Sequence, residues 1–322
     1  MAPRAPGSRI VATGHFQPDR VMGNDEVATL VDTSDEWIRS RTGIVTRHVA
    51  GPDDTVPTMA IAAARHALAS PVARAEEIDL VIVASTTAEQ RSPNVAGAVS
   101  AALGLASPAA IDVNVACSGF VHALALADLT IRGGSARRAL VIGAEKLTAF
   151  TDWTDRTTCV LTADGAGAVV VAASDPTGLG PVAWGTVPEL AQAVRIQPPG
   201  NTFEQEGKSV YRWALSRGAD HARRAVELAG LELADIAVLV THQANLRIIE
   251  PLAEHLGLTD RIVVTDVVES GNTSAASIPL GLSKWWKAGR IPADRPALLF
   301  GFGGGFAYAG LVAWTPPVTE AP

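Results

Sequence analysis

An internal repeat constrains the fold of this 322-residue chain more than any other feature of its sequence. The second half passes through the same series of short apolar segments as the first half, in the same order. The matched segments are 8–14 with 180–185, 78–87 with 236–245, 110–119 with 263–272, 138–146 with 296–304, and 163–174 with 307–316. These matches indicate two similar halves, which we place at residues 1–175 and 176–322.

The matched segments have the length and composition of buried strands, and helix-compatible stretches separate them. Those stretches are residues 94–103, 119–133, 246–256 and 275–289. Strands that alternate with helices form βαβ units, in which parallel strands are covered by helices. The apolar content, 48% of residues with few aromatic side chains, is typical of such strands. The sequence therefore predicts an α/β protein whose site residues lie at the carboxyl ends of strands.

Composition excludes several classes of function. The net charge of −7 argues against a nucleic-acid partner, because phosphate binding requires clustered Lys and Arg. No apolar run reaches the roughly 18 residues of a membrane span, and the N-terminus lacks the apolar stretch of a signal peptide. We therefore expect a cytoplasmic protein that does not bind a membrane. Two cysteines cannot build a disulfide framework or a zinc site by themselves, so we expect no bound metal.

Cys117 is the candidate nucleophile. It follows a strand-like run and precedes an amphipathic helix, which places its thiol at a predicted helix N-terminus. The positive end of the helix dipole and the free backbone N–H groups there favour the thiolate, the reactive form. The small residues Ser118 and Gly119 leave room for a substrate. Cys159 lies inside an apolar strand-like run, where a free cysteine behaves as a small hydrophobic side chain.

Two further polar residues stand at predicted strand ends. His242 follows an apolar strand and precedes Gln243, and it can be a general base, a hydrogen-bond donor or a surface residue. Asn272 stands at a strand-to-helix junction, where its alternative role is a helix N-cap. Together with Cys117 these residues indicate nucleophilic acyl chemistry. Papain-like hydrolases also use Cys, His and Asn, but their local cysteine motif is absent here.

Six motifs of this chain resemble those of the β-ketoacyl-acyl-carrier-protein synthase III family, condensing enzymes with the thiolase fold. They are VDTSDEWIRSRTGI from Val31, DVNVACSGF from Asp112, DWTDRTTCVLTADGAGA from Asp152, THQANLRII from Thr241, SGNTSAASIP from Ser270 and GFGGGF from Gly301. They occur in the order of the family and span residues 31–306. The resemblance implies a layered αβαβα arrangement of two pseudo-twofold-related halves, and a homodimer.

The resemblance also implies a two-step reaction. Cys117 takes an acyl group from acyl-CoA, which is a substrate and not a tightly bound cofactor. Malonyl-acyl carrier protein then loses CO2, and its carbanion attacks the acyl-Cys117 thioester. His242 and Asn272 are implied as hydrogen-bond donors to the enolate, and the backbone N–H groups of Cys117 and Gly304 as the oxyanion hole. The residues implied in CoA binding are Trp37, Arg41, Arg156, Asn245 and Arg247.

Two departures from the family concern the acyl group and the acceptor. Ser92 and Thr162 stand where some members carry Phe around the acyl pocket, which we also expect Leu147 to line. Smaller residues there predict an acyl group larger than acetyl. Lysines that meet the carrier protein in the family are replaced by Glu254 and His255, although Arg212 and Arg247 remain.

Three functions are compatible with these observations. Decarboxylative condensation, starting fatty acid synthesis or priming a polyketide, is favoured because Asn272 is retained. An acyltransferase that passes the same acyl-Cys117 group to a hydroxyl or amine of a natural product is the alternative, and Glu254 keeps it open. A scaffolding subunit without activity is the third, and the intact Cys117, His242 and Asn272 argue against it.

Overall fold

The computed structural model describes residues 7–90, 92–197 and 200–317. The strands are β1 (Gly7–Phe16), β2 (Val21–Gly23), β3 (Thr46–His48), β4 (Leu80–Ala84), β5 (Ala109–Val113), β6 (Arg138–Lys146), β7 (Asp164–Ser174), β8 (Ala183–Thr186), β9 (Val194–Ile196), β10 (Phe203–Gln205), β11 (Val238–Thr241), β12 (Ile262–Val263), β13 (Pro296–Phe302) and β14 (Ala307–Trp314). The helices are α1 (Asn24–Val27), α2 (Asp35–Thr42), α3 (Val56–Leu68), α4 (Val95–Ala102), α5 (Gly119–Arg132), α6 (Gly207–Trp213), α7 (Ala219–Leu228), α8 (Leu246–Leu256), α9 (Val267–Ser270) and α10 (Ser277–Lys287). Residues 1–6, on which the prediction about a signal peptide partly rests, lie outside the described part.

Two five-stranded sheets form the centre of the described fold, and their strand orders correspond. The first sheet has the order β1-β7-β6-β4-β5, and the second has the order β8-β14-β13-β11-β12. Corresponding elements also keep a constant separation in sequence, because β4 and β11, β6 and β13, and α5 and α10 each begin 158 positions apart. The predicted repeat and its four helices are therefore confirmed. The predicted division between residues 175 and 176 falls between β7 and β8 and stays a prediction.

The sheets are mixed, which was not predicted from the sequence. Strand β4 is parallel to β5 and β6, and β11 is parallel to β12 and β13, as expected. Strand β7, however, is antiparallel to β1 and β6, and β14 is antiparallel to β13 and β8. The link from β13 to β14 is only residues 303–306. Parallel neighbours need a crossover of a dozen or more residues, so this link permits only an antiparallel pair.

Helices α5 and α10 form the layer between the two sheets. One apolar core includes Phe120 and Leu124 of α5, Ile278 and Leu282 of α10, and buried residues of both sheets. Helices α3 and α4 pack on the outer face of the first sheet, and α7 and α8 pack on the outer face of the second. The predicted αβαβα layering is confirmed. No helix in the described ranges combines the length and the apolar character that crossing a membrane requires.

Two glycines, one on each central strand, let the halves approach each other closely. A Cβ on Gly143 of β6 would lie 2.3 Å from the carbonyl oxygen of Ala275, at the start of α10. A Cβ on Gly301 of β13 would lie 3.0 Å from the Cα of Ser118, at the start of α5. These glycines are 158 positions apart and make reciprocal contacts. Each central strand therefore supports the turn that begins the middle helix of the other half.

Candidate active site

Cys117 lies on a single 3-10 turn, Ala116–Ser118, between β5 and α5. Ala116 has a left-handed φ of 44°, which reverses the chain direction just before the thiol. The thiol is buried, with 7% of the residue exposed. The backbone N–H groups of Cys117 and Gly304 both lie near it and lower its pKa. These are the two N–H groups implied as the oxyanion hole, and the structure brings them to one sulfur atom.

Glycines around the thiol allow this close approach. A Cβ on Gly303 would lie 2.6 Å from the Cys117 sulfur, and a Cβ on Gly304 would lie 2.6 Å from the Cβ of Ala116. Neither distance can be tolerated without a shift of the neighbouring turn. Gly305 differs, because a Cβ there would meet no atom within 4 Å, although its φ is +64°. The glycine run of the sequence therefore has a steric purpose at its first two positions and a conformational one at its third.

Burial dominates the protonation of Cys117. It raises the pKa of the thiol to about 11, and the nearby Glu145 raises it further, whereas hydrogen bonds with Ser274 and Gly304 lower it. Burial therefore opposes the stabilisation of the thiolate that a helix N-terminus is predicted to give, and that prediction stays a prediction. Helix α5 begins two residues later, at Gly119.

His242 follows the last residue of β11 and is held from two directions. Its backbone N–H donates to Phe300 O on the neighbouring strand β13, at 2.8 Å. Its Nδ1 lies 2.7 Å from the hydroxyl of Ser277, the first residue of α10. That hydroxyl already accepts the N–H of Gln243, so its own hydrogen is available to Nδ1. Burial lowers the pKa of His242 to about 3, so the ring is neutral, and this pairing favours the tautomer with hydrogen on Nε2.

Asn272 is fixed at its backbone and at one side-chain atom. Its N–H donates to Leu161 O at 2.9 Å, and its carbonyl accepts the N–H of Ala163 at 3.0 Å. Its Oδ1 accepts the backbone N–H of Ser274 at 2.9 Å. The cap-like role considered from the sequence is thus filled by Oδ1 alone. Among the described residues, no acceptor pairs with the Nδ2 group, which remains available as a donor.

The three residues meet around the segment that opens α10. Ser274 lines the same cavity as Cys117, its N–H holds Asn272, and Ser277 holds His242. The constant spacing of 158 positions makes Ala275 the counterpart of Cys117 in the second half. The match of sequence segments instead placed Asn272 near that position. The reason is that the corresponding strands β5 and β12 are separated in sequence by fewer than 158 positions. The helical turn α9, inserted after β12, accounts for the difference.

Two cavities lie on either side of this segment. One, of about 440 Å³, is lined by Cys117, Ser274, Gly304 and Leu147 among others. The other, of about 360 Å³, includes Asn272. It also contains four of the five residues implied in CoA binding, namely Trp37, Arg41, Asn245 and Arg247. The nucleophile and the amide donor thus face separate spaces that share the wall formed by residues 272–274.

The fifth residue implied in CoA binding lies beside that second cavity. The guanidinium carbon of Arg156 sits 4.9 Å from the ring centroid of Trp37, and Arg156 Nη1 donates to Asp32 O at 2.9 Å. Asn245 caps α8 by accepting the N–H of Arg247, and its Nδ2 donates to Arg41 O. Caps of this kind fix the entry angle of a helix. The structure therefore places all five residues in or beside the second cavity.

The three residues expected around the acyl group lie in different places. Leu147 is buried and lines the cavity of Cys117. Thr162 is fully buried, accepts a hydrogen bond from Thr151 at 2.8 Å, and lies outside both cavities. Ser92 is exposed and precedes a cis bond to Pro93. Of these three residues, Leu147 alone lines the cavity next to the Cys117 thiol.

Three residues of the site were not predicted from the sequence. Ser274 and Ser277 lie in the motif that begins at Ser270, but serines before a helix are interpreted first as caps. Glu145 follows the apolar run from Ala139 to Ala144 and is fully buried. A charged residue at the end of a buried strand was the available signal. In the described residues, no group of three or more His, Cys, Asp or Glu side chains could hold a metal ion.

Comparisons with known proteins agree with this geometry. Family models described as 3-oxoacyl-[acyl-carrier-protein (ACP)] synthase III and its C-terminal part match residues 111–188 and 226–314. The chain is 60% identical to β-ketoacyl-[acyl-carrier-protein] synthase III 2 of Streptomyces avermitilis, over 96% of this chain and 99% of that one. It is 58% identical to synthase III 4 of Streptomyces coelicolor, over 96% and 99% of the two chains.

Solved structures give the same result. The priming β-ketosynthase of the R1128 polyketide biosynthetic pathway superposes with a TM-score of 0.94 at 37% identity, covering 98% of each chain. The 3-oxoacyl-[acyl-carrier-protein] synthase III of Aquifex aeolicus superposes with a TM-score of 0.92 at 38% identity, covering 96% of this chain and all of that one. At these levels of identity the likeness extends beyond the fold.

Proposed function

The chain belongs to the 3-oxoacyl-[acyl-carrier-protein] synthase III family, and from that membership we propose that it loads an acyl group from acyl-CoA onto Cys117 and condenses it with malonyl-carrier protein. The observation that carries this proposal is the set of free donors around one thiol. Two backbone N–H groups reach the Cys117 sulfur, and His242 Nε2 and Asn272 Nδ2 keep their hydrogens for a substrate. That set fits a reaction in which negative charge develops twice, first at the acyl carbonyl and then at the malonyl carbonyl.

The first step transfers the acyl group. The Cys117 sulfur attacks the thioester carbon of acyl-CoA, a new C–S bond forms, and the bond to the CoA sulfur breaks. The thiol proton of Cys117 is lost and the departing CoA sulfur gains one, so CoA leaves as the free thiol. The carbonyl oxygen becomes an oxyanion that the N–H groups of Cys117 and Gly304 stabilise. Loss of one such donor costs about 2.7–4 kcal/mol of transition-state stabilisation. Both donors belong to the backbone, so they are fixed before the substrate arrives and need no reorganisation.

The second step forms the carbon–carbon bond. The malonyl group loses CO2, and the electrons of the broken bond form an enolate whose oxygen accepts hydrogen bonds from His242 Nε2 and Asn272 Nδ2. The enolate carbon attacks the acyl thioester, and the Cys117 sulfur leaves as a thiolate that takes a proton from water. A neutral imidazole suits this role, because it donates a hydrogen bond without giving up its proton; burial lowers its pKa to about 3. The bond to Ser277 keeps Nε2 as the donor.

The second cavity fits the CoA and pantetheine arm. Trp37 offers an aromatic face to the adenine, and the guanidinium groups of Arg41, Arg156 and Arg247 pair with phosphates. Asn245 fixes the position of Arg247 at the start of α8. The arm reaches the thiol past Asn272, which lines the same cavity.

The acceptor is a carrier protein, which we expect to dock beside the second cavity. Arg247 shares a surface cavity with Glu250 and Glu254, which reduces its positive charge. Lys208 and Arg212, with His255, line a neighbouring shallow cavity. Lys208 supplies a positive charge that was not considered from the sequence. These cations can receive the acidic face of a carrier protein, which supports condensation over transfer to a small hydroxyl or amine.

The acyl group is larger than acetyl in this proposal. The cavity beside Cys117 measures about 440 Å³ and combines apolar residues such as Phe203 and Val194 with polar ones such as Asn114 and Thr186. An acetyl group would leave most of this space unfilled. The expected result is faster acylation by branched or longer acyl-CoAs than by acetyl-CoA, measured as the rate of adduct formation. Equal or faster reaction with acetyl-CoA contradicts this part of the proposal.

The proposed assembly is a homodimer that pairs along β5, in the cytoplasm. Strand β5 lies at an edge of the first sheet, hydrogen-bonded to β4 on one side. Ile111, in its middle, is 46% exposed. An exposed strand edge with a large apolar residue is a site for pairing with a second copy. Both thiols are unpaired, as expected in a reducing compartment.

Intact mass spectrometry tests the reaction in two stages. Incubation with an acyl-CoA should add one acyl group, and malonyl-carrier protein should then remove it with release of CO2 and formation of a β-ketoacyl-carrier. An adduct that malonyl-carrier protein leaves unchanged would indicate the acyltransferase instead. Failure of every acyl-CoA to form an adduct would contradict both.

Variants of single residues locate the two steps. Cys117→Ala should abolish the adduct, whereas Cys159→Ala should keep it, because Cys159 is packed in a core that includes residues of α2 and α8. His242→Ala should reduce decarboxylation by roughly 100-fold while reducing acylation less, since His242 serves the enolate. Equal loss in both steps would contradict that division between the two half-reactions.

A further inference from the structure

Arg47, the middle residue of β3, is a buried cation that has no part in the steps above. The residue is fully buried, and its guanidinium donates to Asn24 Oδ1 and to Val160 O, each at 2.8 Å. Its Nε has no hydrogen-bond partner, and no carboxylate of the described residues lies within ion-pair distance of the guanidinium. Burial of a charge without an opposite charge costs free energy. Such a cost indicates that the two bonds of Arg47 have a purpose beyond packing.

The first bond connects Arg47 to helix α2 through Asn24. Asn24 is buried, and its Nδ2 donates to Asp35 Oδ1 and to Ile44 O, both at 2.8 Å. Asp35 is the first residue of α2, and Ile44 follows the helix by two positions. One amide group therefore holds both ends of α2, and its bond from Arg47 fixes the orientation of that amide. Two of the residues proposed to bind CoA lie on this helix, in the wall of the second cavity.

The second bond connects Arg47 to another part of the wall of the same cavity. Val160, whose carbonyl oxygen accepts this bond, lines the second cavity together with the adjacent Leu161. Leu161 O in turn accepts the N–H of Asn272 at 2.9 Å. Close packing adds to the hydrogen bond, because a Cβ on Gly271 would lie 3.0 Å from the Cβ of Arg47. Arg47 therefore joins α2 to the segment of the cavity wall that holds Asn272.

We infer that Arg47 is a positioning residue for CoA, which holds α2 against the segment of Val160 and thereby fixes the shape of the second cavity. This inference rests on the proposed function and deepens it. Arg47 is not among the residues that line the cavity, so it acts through Trp37 and Arg41 of α2. A planar guanidinium presents its N–H groups in fixed directions, which suits a bridge between two acceptors. A lysine ammonium on a flexible stem does not fix both acceptors at once.

The position of α2 matters because Trp37 and Arg41 contact different parts of one ligand in this proposal. Stacking on the adenine and pairing with phosphate both weaken when the helix shifts. A further contact of α2 limits that shift, since Asn245 Nδ2 donates to Arg41 O at 3.1 Å. Loss of the bridge through Arg47 should therefore weaken CoA binding without abolishing it. A thioester donor that lacks the nucleotide does not use these contacts and should be unaffected.

The first experiment measures the dissociation constant of CoA by calorimetry in Arg47→Lys. We expect it to rise about tenfold relative to the wild type, because α2 is no longer preorganised for the nucleotide. Acylation of Cys117 by an acyl thioester of N-acetylcysteamine, which carries no nucleotide, should stay within about twofold of the wild-type rate. A merely structural role of Arg47 would instead lower acylation by acyl-CoA and by the short donor alike.

Arg138→Lys is the matched control for this substitution. Arg138 is another largely buried arginine, on β6, and it donates to Glu77 Oε2 and to Val72 O. It lines neither of the two cavities at the site. The same substitution at this position should leave both the dissociation constant of CoA and the acylation rate unchanged.

Hydrogen exchange with Asn24→Asp separates the two bonds of Arg47. This variant keeps an oxygen for Arg47 but loses the Nδ2 donor to Asp35 and Ile44. Peptides that cover α2 should exchange faster than in the wild type, whereas peptides that cover residues 157–163 should not. CoA binding should weaken as it does in Arg47→Lys, which should speed exchange in both segments.

An unchanged dissociation constant of CoA in either variant overturns the inference, and so does an equal loss of acylation with acyl-CoA and with the short donor. Faster exchange over the whole chain, instead of in these two segments, overturns it as well. Calorimetry and exchange use no acyl group, so their outcome does not depend on the acyl-adduct test. A wild type that binds CoA and shows these effects but forms no adduct would contradict the proposed function alone.

Discussion

At the scale of the residue, His242 and Asn272 each commit one side-chain atom to the protein and keep one donor. Ser277 holds His242 Nδ1, and the backbone of Ser274 holds Asn272 Oδ1. Fixing one atom removes rotational freedom from the other, so both donors are oriented before the substrate binds. Both anchors come from one short segment of the chain, which places the two donors in a fixed relation to each other.

The buried neutral His242 should make folding sensitive to acid. Its pKa is lowered from 6.5 to about 3, so the unfolded chain binds a proton first as the pH falls below 6.5. Stability is therefore lost as the pH falls from about 6.5 toward about 3, by about 1.4 kcal/mol per pH unit for this group. We expect urea unfolding from about pH 7 to about pH 5 to show a smaller loss for His242→Gln than for the wild type.

The comparison with His242→Gln isolates this group. His15, whose pKa is also lowered by burial, to about 4, is present in both proteins and cancels in the difference. Parallel pH profiles for the two proteins would mean that His242 is not buried as a neutral ring.

At the scale of the element, the link between β13 and β14 acts on the nucleophile through its glycines. Gly303 and Gly305 are two positions apart in the same link, yet only the first faces the Cys117 sulfur, which would lie 2.6 Å from a Cβ at that position. The link therefore contributes both an oxyanion donor, at Gly304, and the space that the sulfur occupies.

Alanine substitutions in this link should separate reactivity from stability. Gly303→Ala should lower the rate of acyl-adduct formation by roughly 100-fold or more, because a displaced sulfur loses its oxyanion donors. Gly305→Ala, the matched control, should cost about 1 kcal/mol of stability for its positive φ but keep most of the acylation rate. The measurements are adduct formation by mass spectrometry and thermal unfolding. Equal loss of acylation in both variants would contradict the steric role of Gly303.

The elements were more predictable than the contacts between them. Helices α5 and α8 begin at the residues that the sequence predicted, Gly119 and Leu246. Apolar periodicity and small-residue junctions determine those positions locally. The antiparallel placement of β7 and β14 depends instead on the length and path of connections between strands. The position of Glu145 against the turn that opens α10 depends on Ala275, which is 130 positions away in the sequence.

At the scale of the whole molecule, assembly and catalysis share the edge of the first sheet. Strand β5 presents its free edge, and the same strand leads directly into the turn of Cys117. Asn114, between the two, lines the cavity of the thiol. Pairing through β5 would therefore restrain one wall of the acyl cavity.

Disruption of this edge should dissociate the proposed dimer. Ile111→Asp places a charge on the exposed middle of β5, where an apolar side chain is 46% exposed. We expect sedimentation at micromolar concentration to change from dimer to monomer. Leu129→Asp, at a similarly exposed apolar position on α5, is the control and should leave the assembly unchanged. A wild-type monomer, or an Ile111→Asp dimer, would contradict pairing through β5.

The overall architecture followed from the sequence because the repeat is long and ordered. The separation of 158 positions between equivalent elements is found for β4 and β11, β6 and β13, and α5 and α10. The exact counterpart of Cys117 did not follow, because α9 interrupts the spacing in the second half. The pKa of the thiol did not follow either, since the loss of solvent depends on what packs over the sulfur from the other half.

The left-handed turns at Ala116 and Ser274 have an evolutionary consequence. They stand 158 positions apart, with φ values of 44° and 46°, so they are the same position in two copies of one ancestral unit. The first copy carries the sulfur of Cys117, and the second holds Ala275 in its place. The second copy instead supplies the hydroxyl of Ser277 and the N–H of Ser274, which hold His242 and Asn272. The site therefore draws on both copies, and a change in either turn is inherited together with the other.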